Sequence, residues 1–295
     1  AREDALAGMV HALAACARAR SLVNASFREP VATAALLARH FPLDTDYSVC
    51  AMAWVAAARA NVAGLTGDPG ASIQHDLTAW EAALECGQVR HALVSVANAA
   101  ESFATLGDLD SALEWSERGL ALARSTQWPA SIGFCLMQLG DVMRQLGRHD
   151  ESRAFLREAL DKMRNQSGSR NYVLGLGNLG QLAIDVGDYQ AGLDSFTQLE
   201  QQVLSLTEPD LIIRAWRGQA SALFHLGELH EAQLKAVEAL NLATQHGSAD
   251  AQIQVLRILA DMHMAHSLAP PEDCQAPTAA LHFLEWAWRV TGTIP

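Results

Sequence analysis

Glycines at a constant interval are the feature that most restricts the fold of this sequence. Five of them stand forty residues apart, each at the end of an apolar, helix-like run: Gly67, Gly107, Gly147, Gly187 and Gly227. A fixed period of this length is the signature of stacked supersecondary units, none of which buries its apolar face alone. The sequence therefore predicts one short structural unit that is repeated along the chain.

Small residues recur in register with these glycines. Seven residues before each glycine stand Ala60, Ala100, Gly140, Gly180 and Ala220, and five residues after it stand Ser72, Ala112, Ser152, Gly192 and Ala232. Twelve residues after it stand Ala79, Gly119, Ala159 and Ala239, with Leu199 as the exception. A bulky side chain would hold two helix axes apart, so these columns predict close helix contacts. Each unit is expected to be an antiparallel helix pair, closed by a glycine in the left-handed conformation.

Larger apolar residues lie between the small columns at helical spacing, and they are predicted to fill the core. They are Val96, Phe103 and Leu106; Leu136, Met143 and Leu146; Leu176, Ala183 and Val186; Trp216, Leu223 and Leu226. The predicted first helices lie near 6–24, 46–65, 89–105, 129–145, 169–185, 209–225 and 249–266. The second helices lie near 29–40, 70–86, 110–125, 150–165, 190–205, 230–245 and 277–291. The expected fold is an all-α, right-handed solenoid of about seven pairs.

Charge and hydropathy exclude two classes of partner. The net charge of -12 repels a phosphate backbone, so nucleic acid is not expected to bind this segment. Half of the residues are apolar, but no run is long enough for a membrane helix, and the N-terminus lacks a signal peptide. The absence of an initiating Met and the ending at "VTGTIP" suggest that residues 1–295 are one solenoid domain from a longer multidomain chain.

The cysteines indicate a reducing compartment. Their number is odd and they are widely spaced, mostly within apolar helical context, which is unlike a disulfide framework. They are Cys16, Cys50, Cys86, Cys135 and Cys274. A cytoplasmic protein with buried thiols is expected.

Two stretches carry a resemblance to a known family. "LMQLGDVMRQLGRHDESRAFLREAL" and "LGNLGQLAIDVGDYQAGLDSF" resemble the tetratricopeptide repeat, and the resemblance covers residues 46–250 well and the ends loosely. The usual unit has about 34 residues, and each unit here is about six longer. Such lengthened units resemble those of kinesin light chains and of the sensor regions of maltose-activator-like LuxR proteins and GGDEF diguanylate cyclases. HEAT repeats share the length, but the Gly-Asp turn and the small columns favour the tetratricopeptide repeat.

The resemblance implies a concave groove that is lined by the first helices. Ligand contacts in the family come from the second, fifth, sixth, ninth and twelfth positions of the first helix, with the turn glycine as the fifteenth. The sixth position carries Asn98, Gln138 and Asn178, and the ninth carries Glu101, Asp141, Gln181, Ser221 and Asp261. The second and fifth positions add Arg214, Arg217 and Arg257.

These side chains suit an extended ligand. Amides hydrogen-bond the donors and acceptors of a peptide backbone, and arginines hold a carboxylate or phosphate. The expected partner is a protein, a peptide or a small acidic ligand. A second interpretation stays open for the amides, because asparagine at this position also braces adjacent helices in the family.

The sequence offers no chemistry beyond binding. His263 and His266, near Asp261 and followed by Cys274, have a spacing compatible with zinc but lack a second tight pair. "GLGNLG" at 175–180 imitates a dinucleotide motif inside a predicted helix, and no nucleophile elbow is present. We therefore expect no catalytic residue, no metal and no cofactor.

Two functions are compatible with these features. The first is a non-catalytic sensory module that regulates an attached output domain, such as a diguanylate cyclase or a transcription regulator. The alternative is a passive protein-protein scaffold or dimerisation domain without a regulatory ligand. The predicted last helix, with Leu281, Leu284, Trp288 and Val290, would expose apolar area. It is expected to meet more of the same protein or a second copy in a homodimer.

Overall fold

A computed structural model describes residues 2–10, 12, 28–42, 46–203, 208–246 and 249–267. These residues form α-helices joined by short turns, and no β-strand occurs among them. The helices are α1 (helical residues 2–10), α2 (Arg28–His40), α3 (Val49–Leu65), α4 (Pro69–Glu85), α5 (Val89–Thr105), α6 (Leu109–Thr126), α7 (Pro129–Gln145), α8 (His149–Met163), α9 (Arg170–Asp185), α10 (Tyr189–Val203), α11 (Pro209–Leu226), α12 (Leu229–Gln245) and α13 (Ala249–Ser267). A short 3-10 turn, Arg164–Gln166, follows α8. The predicted all-α fold is confirmed.

The predicted helix bounds agree closely with the observed ones. The helix predicted at 129–145 is α7, and the one predicted at 110–125 is α6. Pro129 and Pro209 stand at the starts of α7 and α11, where the missing N–H of proline costs no hydrogen bond. The predicted helix 6–24 lies partly outside the described residues, and the predicted helix 277–291 lies entirely outside them.

The turn glycines close the pairs as predicted. Their φ angles lie between 74° and 85°, in the left-handed region that residues with a Cβ rarely adopt. The aspartates that follow three of these glycines cap the next helix: Asp68 accepts from the N–H of Ala71 at 2.9 Å, and Asp108 and Asp188 do the same for Ser111 and Ala191. Each of the five turns is therefore closed by glycine, and in three of them an aspartate caps the next helix.

The described residues form two compact units, of which the first ends at Asn165 and the second begins at Gln166. In the first unit the first helices α3, α5 and α7 pack in sequence, and α4 and α6 each contact the first helices before and after them. In the second unit α10 and α12 pack in the same way among α9, α11 and α13. Each unit thus consists of stacked antiparallel pairs. A single domain over residues 1–295 stays a prediction.

The small columns lie at the predicted close contacts. A Cβ built on Gly140 would lie 2.8 Å from Cγ of Leu156, and the residues of the column seven before the turn glycine are all buried. The hydroxyl of Ser152 donates to the carbonyl of Gly140 at 2.6 Å, and that of Ser72 donates to the carbonyl of Ala60 at 3.2 Å. Two small columns therefore meet each other across the helix pair.

One predicted core column is wrong. Leu106, Val186 and Leu226, directly before their turn glycines, are 56%, 37% and 39% exposed. Each lies at the very end of its first helix, where the chain turns and packing against the neighbouring helices is incomplete. Leu146, the fourth member of this column, is half-buried. Apolar spacing along a helix predicts a shared face, but it does not show where the packing partner ends.

Candidate functional site

The first unit presents two side-chain amides at the same register position. Asn98 on α5 and Gln138 on α7 are half-buried, and α5 and α7 pack against each other. Neither amide makes a side-chain hydrogen bond to a described residue. Each amide therefore keeps both its donors and its acceptor for a ligand, and it is free to present either edge.

The two acidic residues predicted for this site differ in their surroundings. Glu101 is exposed on α5. Asp141 on α7 accepts hydrogen bonds from Nε of Arg144 at 3.0 Å and from Nε2 of Gln145 at 2.8 Å. Both partners lie on the same helix, so the charge of Asp141 is compensated locally.

An apolar row borders the amides of the first unit. Trp54, Val94 and Phe134 lie on α3, α5 and α7. All three stand at the second position of the register in which the turn glycine is the fifteenth, and Val94 is 46% exposed. The indole of Trp54 lies 4.6 Å from the ring of His91, measured between centroids. The forty-residue spacing of Val94 and Phe134 from Trp54 is the signal that would have revealed the whole row.

In the second unit, Asn178 and Arg214 are joined directly. Asn178 on α9 is only 6% exposed, and Nη2 of Arg214 on α11 donates a hydrogen bond to its Oδ1. A Cβ at Gly177 would lie 2.5 Å from Nε of Arg214, so the guanidinium uses the space that glycine leaves. This contact matches the bracing interpretation, since it links two successive first helices.

The remaining predicted residues of the second unit lie on its first helices, α9, α11 and α13. Nε2 of Gln181 donates to Asp185 at 2.9 Å, one turn further along α9. Ser221 and Arg217 on α11 are half-buried, whereas Arg257 and Asp261 on α13 are exposed. Arg217 and Arg257 share the fifth position on two helices that pack against each other. The structure therefore places a pair of cationic residues in register there.

A further ion cluster at the starts of α9 and α11 was not anticipated. Arg170 contacts Glu208 and, through Nη2, donates to Asp210 at 2.5 Å. Burial alone would lower the pKa of Arg170, but the hydrogen bonds and charges of these two carboxylates raise it. The cluster connects successive first helices, and its two carboxylates outnumber its one guanidinium.

The described residues give no support to metal or membrane binding. No group of three His, Cys, Asp or Glu side chains in the described part of the chain is arranged to hold a metal ion. His263 lies on α13, while the side chain of His266 and the whole of Cys274 lie outside the described residues. In the described ranges, no helix is both long and apolar enough to cross a membrane.

Two cysteines that are distant in sequence are neighbours. Cys50 lies near the start of α3 and Cys86 directly after α4, and the Cys86 thiol raises the pKa of Cys50. Antiparallel packing of α3 on α4 brings these two helix ends together. Cys135 is different, because burial within α7 raises the pKa of its thiol to about 12.

The buried thiol yields a prediction. At pH 8, iodoacetamide is expected to alkylate Cys135 on the order of a thousandfold more slowly in the folded protein than in denaturant, because almost none of the buried thiol is ionised. Peptide mapping by mass spectrometry measures the rate in each condition. Equal rates in the two conditions would contradict the burial of Cys135.

Comparison with known proteins agrees with the observed fold of repeated helix pairs. Residues 134–205 match the family model of the tetratricopeptide repeat. No curated protein sequence matches the chain. Among solved structures, the apo form of RapI is similar with a TM-score of 0.70 and 10% identity, covering 90% of this chain and 92% of that one.

Two other similar structures contain peptides. The Rap conjugation gene regulator of the plasmid pLS20, in complex with the Phr* peptide, has a TM-score of 0.63 and 12% identity and covers 98% of both chains. NprR, in complex with its cognate peptide NprX, has a TM-score of 0.61 and 18% identity, and it covers 96% of this chain and 78% of that one. Identities this low show the fold alone. Residues 134–205 thus match the tetratricopeptide repeat, and the described residues on either side of them continue the same helix-pair fold.

Proposed function

We propose that this chain is a non-catalytic module that binds an extended peptide on the faces of its first helices and thereby regulates an attached output domain. The observation that carries this proposal is the pair Asn98 and Gln138. Two half-buried amides stand in register on adjacent helices, and neither is used by the described part of the protein. An extended peptide presents unpaired backbone N–H and C=O groups, which such amides satisfy.

The similar solved structures support the same class of ligand. Two proteins of this fold, the pLS20 conjugation gene regulator and NprR, are seen in complex with peptides. The apolar row of Trp54, Val94 and Phe134 beside the amides adds a surface on which apolar side chains of a peptide would be buried. Backbone recognition and side-chain recognition would thus come from neighbouring rows of the same helices.

Arginines in the second unit extend the proposal to an acidic group. Arg217 and Arg257 would hold a carboxylate, either within a peptide or in a small acidic ligand, through the paired N–H groups of their guanidinium ions. Gln181, Ser221 and Asp261 would complete this face with neutral and acidic hydrogen-bonding groups. On the first unit, Glu101 and Asp141 would contact N–H donors of a peptide bound there.

The amides can be tested without knowing the natural ligand. A display library of random-sequence peptides is selected on the unaltered chain, and the dissociation constants of the enriched peptides are then measured. Combined substitution Asn98→Ala and Gln138→Ala is expected to weaken binding by about tenfold or more, since each lost hydrogen bond is worth about 1 kcal/mol. Exposed Gln201 on α10 provides the matched control, Gln201→Ala. If binding survives the double substitution, the passive scaffold becomes the better interpretation.

The role of Arg217 is tested by reversing its charge. Arg217→Glu is expected to reduce the affinity for acidic peptides by about a hundredfold, because it replaces an attraction by a repulsion at a partly buried site. Arg157→Glu, at an exposed position on α8, makes the same charge change away from the first helices and is expected to have little effect. Similar losses for both variants would show that net charge, and not a site at Arg217, governs binding.

A further inference from the structure

Asn178 differs from the other two amides of its register. It is 6% exposed, whereas Asn98 and Gln138 are half-buried. Among the described residues, the only hydrogen bond of its side chain is the one that Oδ1 accepts from Nη2 of Arg214. Its Nδ2 group donates to no described residue, although it is not among the fully buried side-chain atoms that lack a partner.

The chemistry of arginine fixes which way this amide faces. A guanidinium group has five N–H donors and no acceptor, so only the oxygen of Asn178 can be the atom beside Arg214. A flipped amide would bring its NH2 group against the cation and lose the hydrogen bond. Gly177 leaves the room that Arg214 needs for this contact, because a Cβ there would lie 2.5 Å from Nε. The NH2 group is therefore held at the opposite edge of the amide.

We propose that Asn178 is a donor-only subsite, which binds a backbone carbonyl of the peptide, and that Arg214 is the positioning residue that sets its orientation. The inference rests on the proposed function and sharpens it. Asn98 and Gln138 can rotate to donate or accept, but Asn178 only donates. A peptide carbonyl must therefore face α9 at this point, which restricts the direction and register of the ligand.

The orientation is testable without any peptide. Asn178→Asp keeps an oxygen toward Arg214 and adds a favourable charge, so the melting temperature is expected to stay equal or to rise. Asn178→Leu has a similar volume but offers Arg214 no acceptor, so the melting temperature is expected to fall. If the aspartate variant loses as much stability as the leucine variant, the assigned orientation is wrong.

The donor role is tested with the peptides that the unaltered chain selects from the random library. Asn178→Asp is expected to weaken their binding by about tenfold or more, because a carboxylate cannot donate to a carbonyl and the two oxygens repel. Gln201→Glu introduces the same charge at an exposed position and is the control. Measurements at about 0.1 M and about 1 M salt separate the two causes, since salt screens a charge effect but not a missing donor.

Arg214 is tested by a conservative rescue. Arg214→Met frees the amide to flip and is expected to weaken peptide binding several-fold, whereas Arg214→Lys, which again has only donors, is expected to retain more of it. Equal affinities for the Lys and Met variants would remove the positioning role. If the unaltered chain selects no peptide, the proposed function fails and takes this inference with it. If peptides bind the unaltered chain and the Asn178→Asp variant alike, the inference alone is overturned.

Discussion

Gly218→Ala is expected to destabilise the protein by about 3 kcal/mol, at the upper end of what overfilling a packed core costs. A Cβ at this position on α11 would lie closer than 3.0 Å to three ring carbons of Phe196. The ring is 1% exposed, and its other edge is close to the place that a Cβ on Gly180 of α9 would occupy. Phe196 therefore fills the space between two glycine-bearing helices and cannot move aside. Urea unfolding followed by circular dichroism measures the loss.

The control uses a glycine that is also helical but has room. At Gly64 in α3, the nearest atom to an added Cβ is Oγ of Ser72 at 3.6 Å, which is an ordinary contact. Gly64→Ala is expected to be neutral or to stabilise the helix by up to about 1 kcal/mol. Adding Phe196→Leu to Gly218→Ala should recover part of the lost stability, as coupled neighbours do. Equal stability of the two single alanine variants would contradict the packing of Phe196.

Gly218 also shows what the sequence could predict and what it could not. The column that contains Gly140 and Gly180 recurs every forty residues, so its close contacts were predictable from the period alone. Gly218 belongs to no small column, because its register position carries an amide in the three units before it. Its small size is required by the ring of Phe196 on α10. No local sequence pattern predicts which side chain on a neighbouring helix will lie against a given glycine.

At the candidate site too, the forty-residue period predicts which helix carries a residue, but it does not predict which side chains bind each other. The period placed Asn178 and Arg214 on the first helices, and the structure agrees. It did not show that the two side chains bind each other, because that contact depends on the space above Gly177. The proximity of Cys50 and Cys86 was within reach of the sequence, since the start of one helix and the end of its antiparallel partner must be neighbours.

Glu200 on α10 is the centre of a polar network in the second unit. Its carboxylate accepts hydrogen bonds from Nε1 of Trp216 at 2.5 Å, from Nε2 of Gln219 at 2.7 Å and from Nζ of Lys235 at 3.0 Å. The donors come from α11 and α12, so one side chain joins three successive helices. Burial would raise the pKa of Glu200, but the three hydrogen bonds and the lysine charge lower it.

Glu200→Gln is therefore expected to cost about 2 kcal/mol at neutral pH, because an amide nitrogen would face donors that now meet a carboxylate oxygen. The pKa of the folded state lies below the unfolded value of about 4.3, so the charged form stabilises the fold above that pH. As the pH falls through the folded pKa, the glutamate is protonated and this contribution is lost. The difference in unfolding free energy between the unaltered chain and Glu200→Gln should thus shrink below about pH 4.

Glu114→Gln removes an exposed pair with Arg118 and should cost less than about 0.5 kcal/mol. A difference for Glu200→Gln that is constant with pH would show that the carboxylate charge does not hold these helices together.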